Sequence, residues 1–86
     1  MASVDEVRAG IGQANEKAKE SIAAIQQAIS ALEQAQAALA AVTQGSAQAD
    51  ADQANGLLAN ATRAMGEAQQ SVTAAISTAE GYAARL

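Results

Sequence analysis

Cysteine, histidine, proline, phenylalanine and tryptophan are all absent from this 86-residue chain, and Tyr82 is its single aromatic residue. Without cysteine, the chain can form no disulfide bond and offers no thiolate ligand to a metal. Without histidine, its many serines and threonines lack the usual base that activates a hydroxyl nucleophile. We therefore expect no catalytic residues, no cofactor and no metal site, and we predict that the protein is not an enzyme.

Basic residues and long apolar runs are also scarce. Five basic residues against nine acidic ones give a formal net charge of -4, which opposes binding to nucleic acid or to an anionic membrane surface. No segment approaches the ~20 apolar residues of a membrane span, and the amino terminus lacks the features of a secretory signal. We expect a cytoplasmic protein when made; no motif supports export independent of a signal peptide.

The residues that are abundant favour helix. Half of the chain is hydrophobic, most of that half is alanine, and alanine is the strongest helix former. Glutamine, glutamate, lysine and leucine follow alanine closely in helix propensity, and no proline interrupts either half. A chain of this length forms one domain with a thin core. The composition predicts an all-α protein without a deep cleft.

Capping signals divide the chain into two helices. Ser3 and Glu6 fit a capping box, in which the Ser3 hydroxyl accepts from the Glu6 amide and the Glu6 carboxylate reaches back. Gly45 suits the left-handed conformation that ends a helix, and Ser46 is a favoured cap for the next one. Residues 1–86 are therefore predicted to form a single helical hairpin, with a first helix over about 4–43, a turn at 44–46 and a second helix over about 47–85.

Two rows of residues with a seven-residue period predict how the helices pack. The row of larger residues, called here the aliphatic row, reads Val4, Ile11, Ala18, Ile25, Leu32 and Leu39 in the first helix, and Ala51, Leu58, Met65, Val72, Ala79 and Leu86 in the second. The companion row, called here the alanine row, reads Val7, Ala14, Ser21, Ala28, Ala35 and Val42, then Ala54, Ala61, Ala68, Ala75 and Tyr82. These rows predict an alanine-rich antiparallel coiled coil whose helices approach to about 8 Å, with Tyr82 at the open end of the seam.

A constant register follows if the chain folds back at 44–46. Members of the aliphatic row then lie opposite each other, with Leu39 level with Ala51 and Ile11 level with Ala79. Large residues tend to face small ones in this arrangement. The register is a hypothesis that direct contacts between the helices can test.

Additional aliphatic residues outside both rows suggest self-association. Ile22, Ile29 and Ile76 lie one residue beyond the alanine row, Leu57 lies beside the aliphatic row, and Glu33 is the only charge between Ser21 and Ala49. An uncharged apolar stripe of this kind typically marks a protein contact. We predict a homodimer that forms a four-helix bundle, with Ile22, Ile29, Leu57 and Ile76 as the interface. In the alternative interpretation, the isoleucines only widen the seam within one hairpin.

Three short sequence segments carry a family resemblance. They are Gln-Ala-Asn-Glu-Lys-Ala at 13–18, Thr-Gln-Gly-Ser at 43–46 and Glu-Gly-Tyr-Ala-Ala-Arg-Leu at 80–86. The chain resembles, over its whole length, a group of uncharacterised Ala/Gln-rich actinobacterial helical hairpins. It is distantly similar to the WxG superfamily of small helical hairpins of type VII (ESX) secretion. It departs from the WxG pattern because its turn has no tryptophan, and because Leu86 stands at the fourth position after Tyr82, where the export signal has an acidic residue.

Three functions are compatible with these features. The predicted one is a dimeric interaction or adaptor module that presents a helical face to a larger partner; the resemblance implies an exported toxin or a secretion component. The alternative is a structural protein that assembles into larger bundles or filaments. A carrier of a small apolar ligand is disfavoured, since close alanine packing leaves no cavity.

Overall fold

The computed structural model describes residues 2–45 and 48–86, and these form two long helices, α1 (Val4–Thr43) and α2 (Ala49–Ala84). Arg8, near the start of α1, donates to the carbonyl oxygen of Ala83, near the end of α2, so the helices run antiparallel. The molecule is a rod measuring 63 × 18 × 15 Å. The predicted all-α helical hairpin is confirmed.

The start and end of α1 follow from single residues. The backbone of Ser3 is extended, and its hydroxyl oxygen accepts from the Glu6 amide at 3.1 Å, which satisfies one of the amides that a helix start leaves unpaired. At the other end, Gly45 has a φ of +80°, in the left-handed region that glycine adopts without strain. The predicted roles of Ser3 and Gly45 are confirmed.

The start of α2 differs from its predicted position. Ser46, the predicted cap, lies outside the described residues, and Gln48 occupies the cap position without a side-chain capping bond. Asp50 and Asp52 lie in the first turn, where their negative charge interacts favourably with the exposed amides. The helix begins at Ala49, compared with the predicted start near residue 47.

One of the two predicted seam rows is less shielded than its neighbour. The shielded residues of the aliphatic row are Ile11, Ala18, Ile25, Leu32 and Leu39, then Ala51, Leu58, Met65, Val72 and Ala79. The second shielded row, called here the mixed row, is Asn15, Ile22, Ile29, Gln36 and Thr43, then Asn55, Thr62, Gln69, Ile76 and Ala83. Spacings of three and four alternate along these two rows in each helix, as expected for a coiled-coil seam.

The alanine row is shielded less continuously than the mixed row. Its members Ala14, Ser21, Ala35 and Ala75 are exposed, whereas Ala28, Ala54, Ala61 and Ala68 are half-buried, so the predicted second row forms only part of the seam. Burying an isoleucine removes more methylene groups from water than burying an alanine, at ~0.8 kcal/mol for each group. Relative to the prediction, each helix is rotated about its axis by roughly 50°, half the angle between successive residues.

Two contacts between the helices bear on the predicted register. The Thr62 hydroxyl lies 3.2 Å from Gln36 Oε1, whereas the predicted register placed Gln36 level with Ala54, about 12 Å from Thr62 along the helix. Side chains lean toward the start of their own helix, so in an antiparallel pair the two side chains lean toward each other along the rod. Gln36 and Thr62 can then touch when the Thr62 backbone lies about one turn further along α2 than the point level with Gln36. The Arg8–Ala83 contact at the open end is within reach in the predicted register, so the two contacts together limit the offset from the prediction to at most about one turn.

Two predicted seam residues at the open end lie outside the seam. Val4 is 47% exposed and Tyr82 is 48% exposed. Arg8 contacts Ala83, next to the last residue of α2, so Val4 lies one turn further out with little of α2 beside it. Tyr82 belongs to the less shielded alanine row. The correction leaves Ile11, Ile25, Leu32, Leu39, Leu58, Met65 and Val72 as the shielded aliphatic residues of the predicted set.

Candidate interaction surface

The rotation of both helices brings small residues together on one side of the rod. The alanine row of each helix flanks the seam on this side, beside the row that lies three residues after it. We call the resulting surface the alanine face. Its members are Ser21, Ala24, Ala28, Ala31, Ala35, Ala38 and Val42 of α1, and Ala54, Leu57, Ala61, Ala64, Ala68, Ser71, Ala75, Thr78 and Tyr82 of α2.

The alanine face carries no charge within Ser21–Val42 of α1 and Ala54–Tyr82 of α2, and Lys17 lies in the same row just before its α1 part. Four charged residues occur in the same stretches of chain, namely Glu33, Arg63, Glu67 and Glu80, and the helical period directs all four to other sides of the rod. A polar exposed surface is the norm for the outer side of a helix. The missing charge therefore distinguishes this side of the hairpin from the remainder of its surface.

Large exposed hydrophobic side chains concentrate on the same face. Val42 is 80% exposed, Leu57 is 61% exposed and Tyr82 is 48% exposed. The other exposed large hydrophobic residues of the described chain, Val4 and Leu86, lie at the open end of the rod. Every large hydrophobic side chain that is exposed on the helix sides is thus on the alanine face.

The total surface shows how little the hairpin buries on its own. A compact folded monomer of 8.6 kDa has an accessible surface of about 4,700 Å². This chain exposes 6017 Å². The excess of about 1,300 Å² arises because two helices side by side cover only one strip of each other. Ile76, at 8% exposure, is the one hydrophobic residue of the described chain that is buried, and no described side chain is completely shielded from solvent.

Charged side chains pair on the exposed sides of α1. Lys17 lies 3.4 Å from Glu20, and Lys19 lies 3.9 Å from Glu16. Each pair joins residues three apart on one helix and is largely exposed to solvent, so it contributes little to stability. These pairs keep the α1 segment before Ser21 hydrophilic, and the alanine face begins where they end.

The seam between the helices contains polar residues that the sequence analysis did not assign to it. Asn15 is 8% exposed, Gln36 and Thr62 are in contact, and the buried Oδ1 atom of Asn55 has no hydrogen-bond partner among the described residues. Thr62 also donates to the Leu58 carbonyl oxygen at 3.0 Å. The seam thus combines an apolar row with a row that contains both polar residues and isoleucines.

The four predicted interface residues fall in two different places. Ile22 and Ile29 are half-buried and Ile76 is buried, all within the mixed row of the seam. This corrects the prediction that they form an outer stripe, and it agrees with the alternative in which the isoleucines widen the intramolecular seam. Leu57 is exposed on the alanine face. The bulk of the isoleucines, compared with the alanines next to them, is the sequence signal that locates them in the seam.

Other surface features of the described chain offer little chemistry. A shallow open groove on α2 is lined by Gly66, Gln69, Gln70, Thr73 and Ala74, all uncharged. Within residues 2–45 and 48–86, no three acidic side chains cluster closely enough to hold a metal ion. Neither described helix contains a stretch apolar enough to cross a membrane.

Comparison of the chain with protein-family models, with curated proteins and with solved structures found no match.

Proposed function

We propose that this chain is a non-enzymatic protein–protein interaction module that self-associates through its helix faces and serves as an adaptor for a larger protein. The observation that carries the proposal is the uncharged alanine face, on which Val42, Leu57 and Tyr82 are exposed. Contiguous apolar surface on a small chain is typical of protein contacts.

The energetics of the hairpin support the same proposal. Ordering a residue costs above ~1 kcal/mol in backbone entropy, and the chain offsets this with a seam that contains polar residues as well as aliphatic ones. Covering the exposed apolar surface of the alanine face would add the hydrophobic stabilisation that a single hairpin lacks. Association of this kind gives the chain a folded state that depends on its partner.

The proposed larger partner is an exported toxin or a secretion component. Its support is the resemblance to the small helical hairpins of type VII secretion, which implies pairing through long helix faces. The competing structural role is assembly into larger bundles or filaments. It uses the same surface, but chains continue to add, whereas the adaptor stops at a dimer.

Multi-angle light scattering across a wide dilution series tests the proposed self-association. We expect one species with twice the 8.6 kDa mass of the chain, and its mass should not rise further with concentration. A mass that grows steadily with concentration would favour the filament-forming role. A single-chain mass at every concentration would refute self-association.

A further inference from the structure

We infer that the alanine face is the binding site for a second copy of this chain, so that two hairpins pack face to face as a four-helix bundle. The inference rests on the proposed self-association and identifies the surface that performs it. The isoleucines of the mixed row are already shielded within one hairpin, which leaves the alanine face as the apolar surface free to contact another molecule.

The residue types on this face suit a close approach of two helix pairs. Between Ala24 and Ala38 on α1, and between Ala61 and Ala75 on α2, no face residue is larger than alanine or serine. Small side chains let helix axes approach toward ~8 Å, the short end of the usual range. The absence of charge means that no ionised group loses its hydration when the face is covered.

The size of the face matches what a stable dimer buries. The uncharged stretch extends for roughly 30–40 Å at 1.5 Å per residue, and the rod is 18 Å wide. These dimensions give a patch of roughly 540–720 Å² before its relief is counted, compared with about 800 Å² per partner in a standard interface. The face is therefore close in size to one side of a standard dimer interface.

The width of the face favours a second hairpin over a single partner helix. One helix with its side chains is about 10–12 Å across and would leave part of the 18 Å width uncovered. Leu57, on the outer edge of the face, would then remain in water. A second copy has the same width and presents the same surface, so the contact is self-complementary and closes after two chains, as isologous dimers do.

Matched glutamate substitutions test the location of the interface. The face variant combines Ala35→Glu and Ala64→Glu, and the control combines Ala37→Glu and Ala74→Glu; all four alanines are exposed in the single hairpin. Both variants add the same charge to the same two helices. We expect the control to remain dimeric and the face variant to dissociate with a dissociation constant raised about 100-fold or more, because its glutamates would be buried at the contact.

Thiol protection provides a second measurement that leaves the fold intact. The chain has no cysteine of its own, so Ala64→Cys and Ala74→Cys each introduce one thiol, on the face and off it respectively. In the dimer, we expect the Ala64→Cys thiol to react with a maleimide about tenfold or more slowly than the Ala74→Cys thiol, because access limits the reaction.

The outcomes separate this inference from the proposed function. The inference fails if the wild-type chain is a dimer but the face and control variants have the same dissociation constant, or if the two thiols react equally fast. The chain then self-associates through another surface. If the wild-type chain is a monomer at all concentrations, both fail together.

Discussion

Glycine occurs at two kinds of position in this hairpin. Gly56 lies inside α2, and a Cβ atom added there would meet no heavy atom within 4 Å outside its own turn. Gly45 follows α1 with a φ of +80°, a conformation that a residue with a Cβ atom adopts only with strain. The same substitution should therefore have opposite effects at these two positions.

We predict that Gly56→Ala raises the free energy of unfolding by about 0.5–1 kcal/mol, since alanine loses less backbone entropy in a helix. Gly45→Ala should lower it by about 1 kcal/mol, because the left-handed conformation is unfavourable for alanine. Urea unfolding followed by circular dichroism measures both. Destabilisation by Gly56→Ala would mean that another chain occupies the space beside Gly56 in the folded protein.

Adjacent residues also show how far side-chain identity predicts burial. The aliphatic row was assigned correctly from its seven-residue period, since it holds the larger residues in both helices. Its companion was assigned only in part, because alanine at one position and isoleucine at the next give the same period. Only the greater apolar area of Ile22 and Ile76, compared with Ser21 and Ala75, decides which of the two neighbouring rows is shielded more continuously.

The polar members of the mixed row could not be predicted in this way. Asn15 and Asn55 are polar, so their side chains alone do not predict burial in a seam. They are shielded because the isoleucines of their row determine the rotation of the whole helix. A helix rotates as a unit, so the isoleucines of a row also turn the polar residues at the same heptad position toward the partner helix. Their placement is a property of the element and not of the residue.

At the scale of the elements, two contacts between polar groups set how α1 and α2 lie against each other. Arg8 Nε donates to the Ala83 carbonyl oxygen at 3.4 Å, where the last carbonyls of a helix lack partners in the helix itself. In the half of the rod nearer the turn, Gln36 and Thr62 contact each other. A hydroxyl has one proton, so Thr62 donates either to the Leu58 carbonyl oxygen or to Gln36 Oε1 at any moment.

We predict that Thr62→Val lowers the free energy of unfolding by about 1 kcal/mol, because it leaves the half-buried Gln36 amide without its partner. The double variant, Gln36→Leu with Thr62→Val, should recover most or all of that loss, since neither polar group then remains. A double-mutant cycle by urea unfolding measures the coupling. Additive effects of the two substitutions would contradict a hydrogen bond between these side chains.

The termini of the helices were more predictable than their register. The Ser3 cap and the Gly45 stop each depend on a few consecutive residues, so the local sequence contains the whole signal. Register depends on contacts between residues far apart in the chain. Equal seven-residue periods in both helices fit several registers about equally well, and the Gln36–Thr62 contact distinguishes among them.

At the scale of the whole molecule, the hairpin is a rod whose surface exceeds that of a compact protein of its mass. If the alanine face is covered by a second copy, unfolding and dissociation are one process. Stability then depends on the concentration of the protein as well as on its sequence.

We predict that each tenfold dilution lowers the thermal midpoint by about 4 °C, from RT ln 10 divided by an unfolding entropy of ~2.1 cal/mol/K per residue over two chains. Circular dichroism melts in cells of different path length measure this directly. The Ala35→Glu, Ala64→Glu variant serves as the control, because a monomer melts at the same temperature at every concentration. A wild-type midpoint that does not change with dilution would contradict coupled folding and association.

The Gln36–Thr62 contact also bears on whether the two helices can slide along each other. Displacing α2 by one heptad would bring Thr62 against Ile29 in one direction, where the Gln36–Thr62 contact, worth about 0.5–1.5 kcal/mol, is lost. Sliding in the other direction would bring Thr62 against Thr43 and remove a full heptad of contact from the open end of the rod. The Gln36–Thr62 contact therefore favours one alignment of the two helices, and with it one length of the rod.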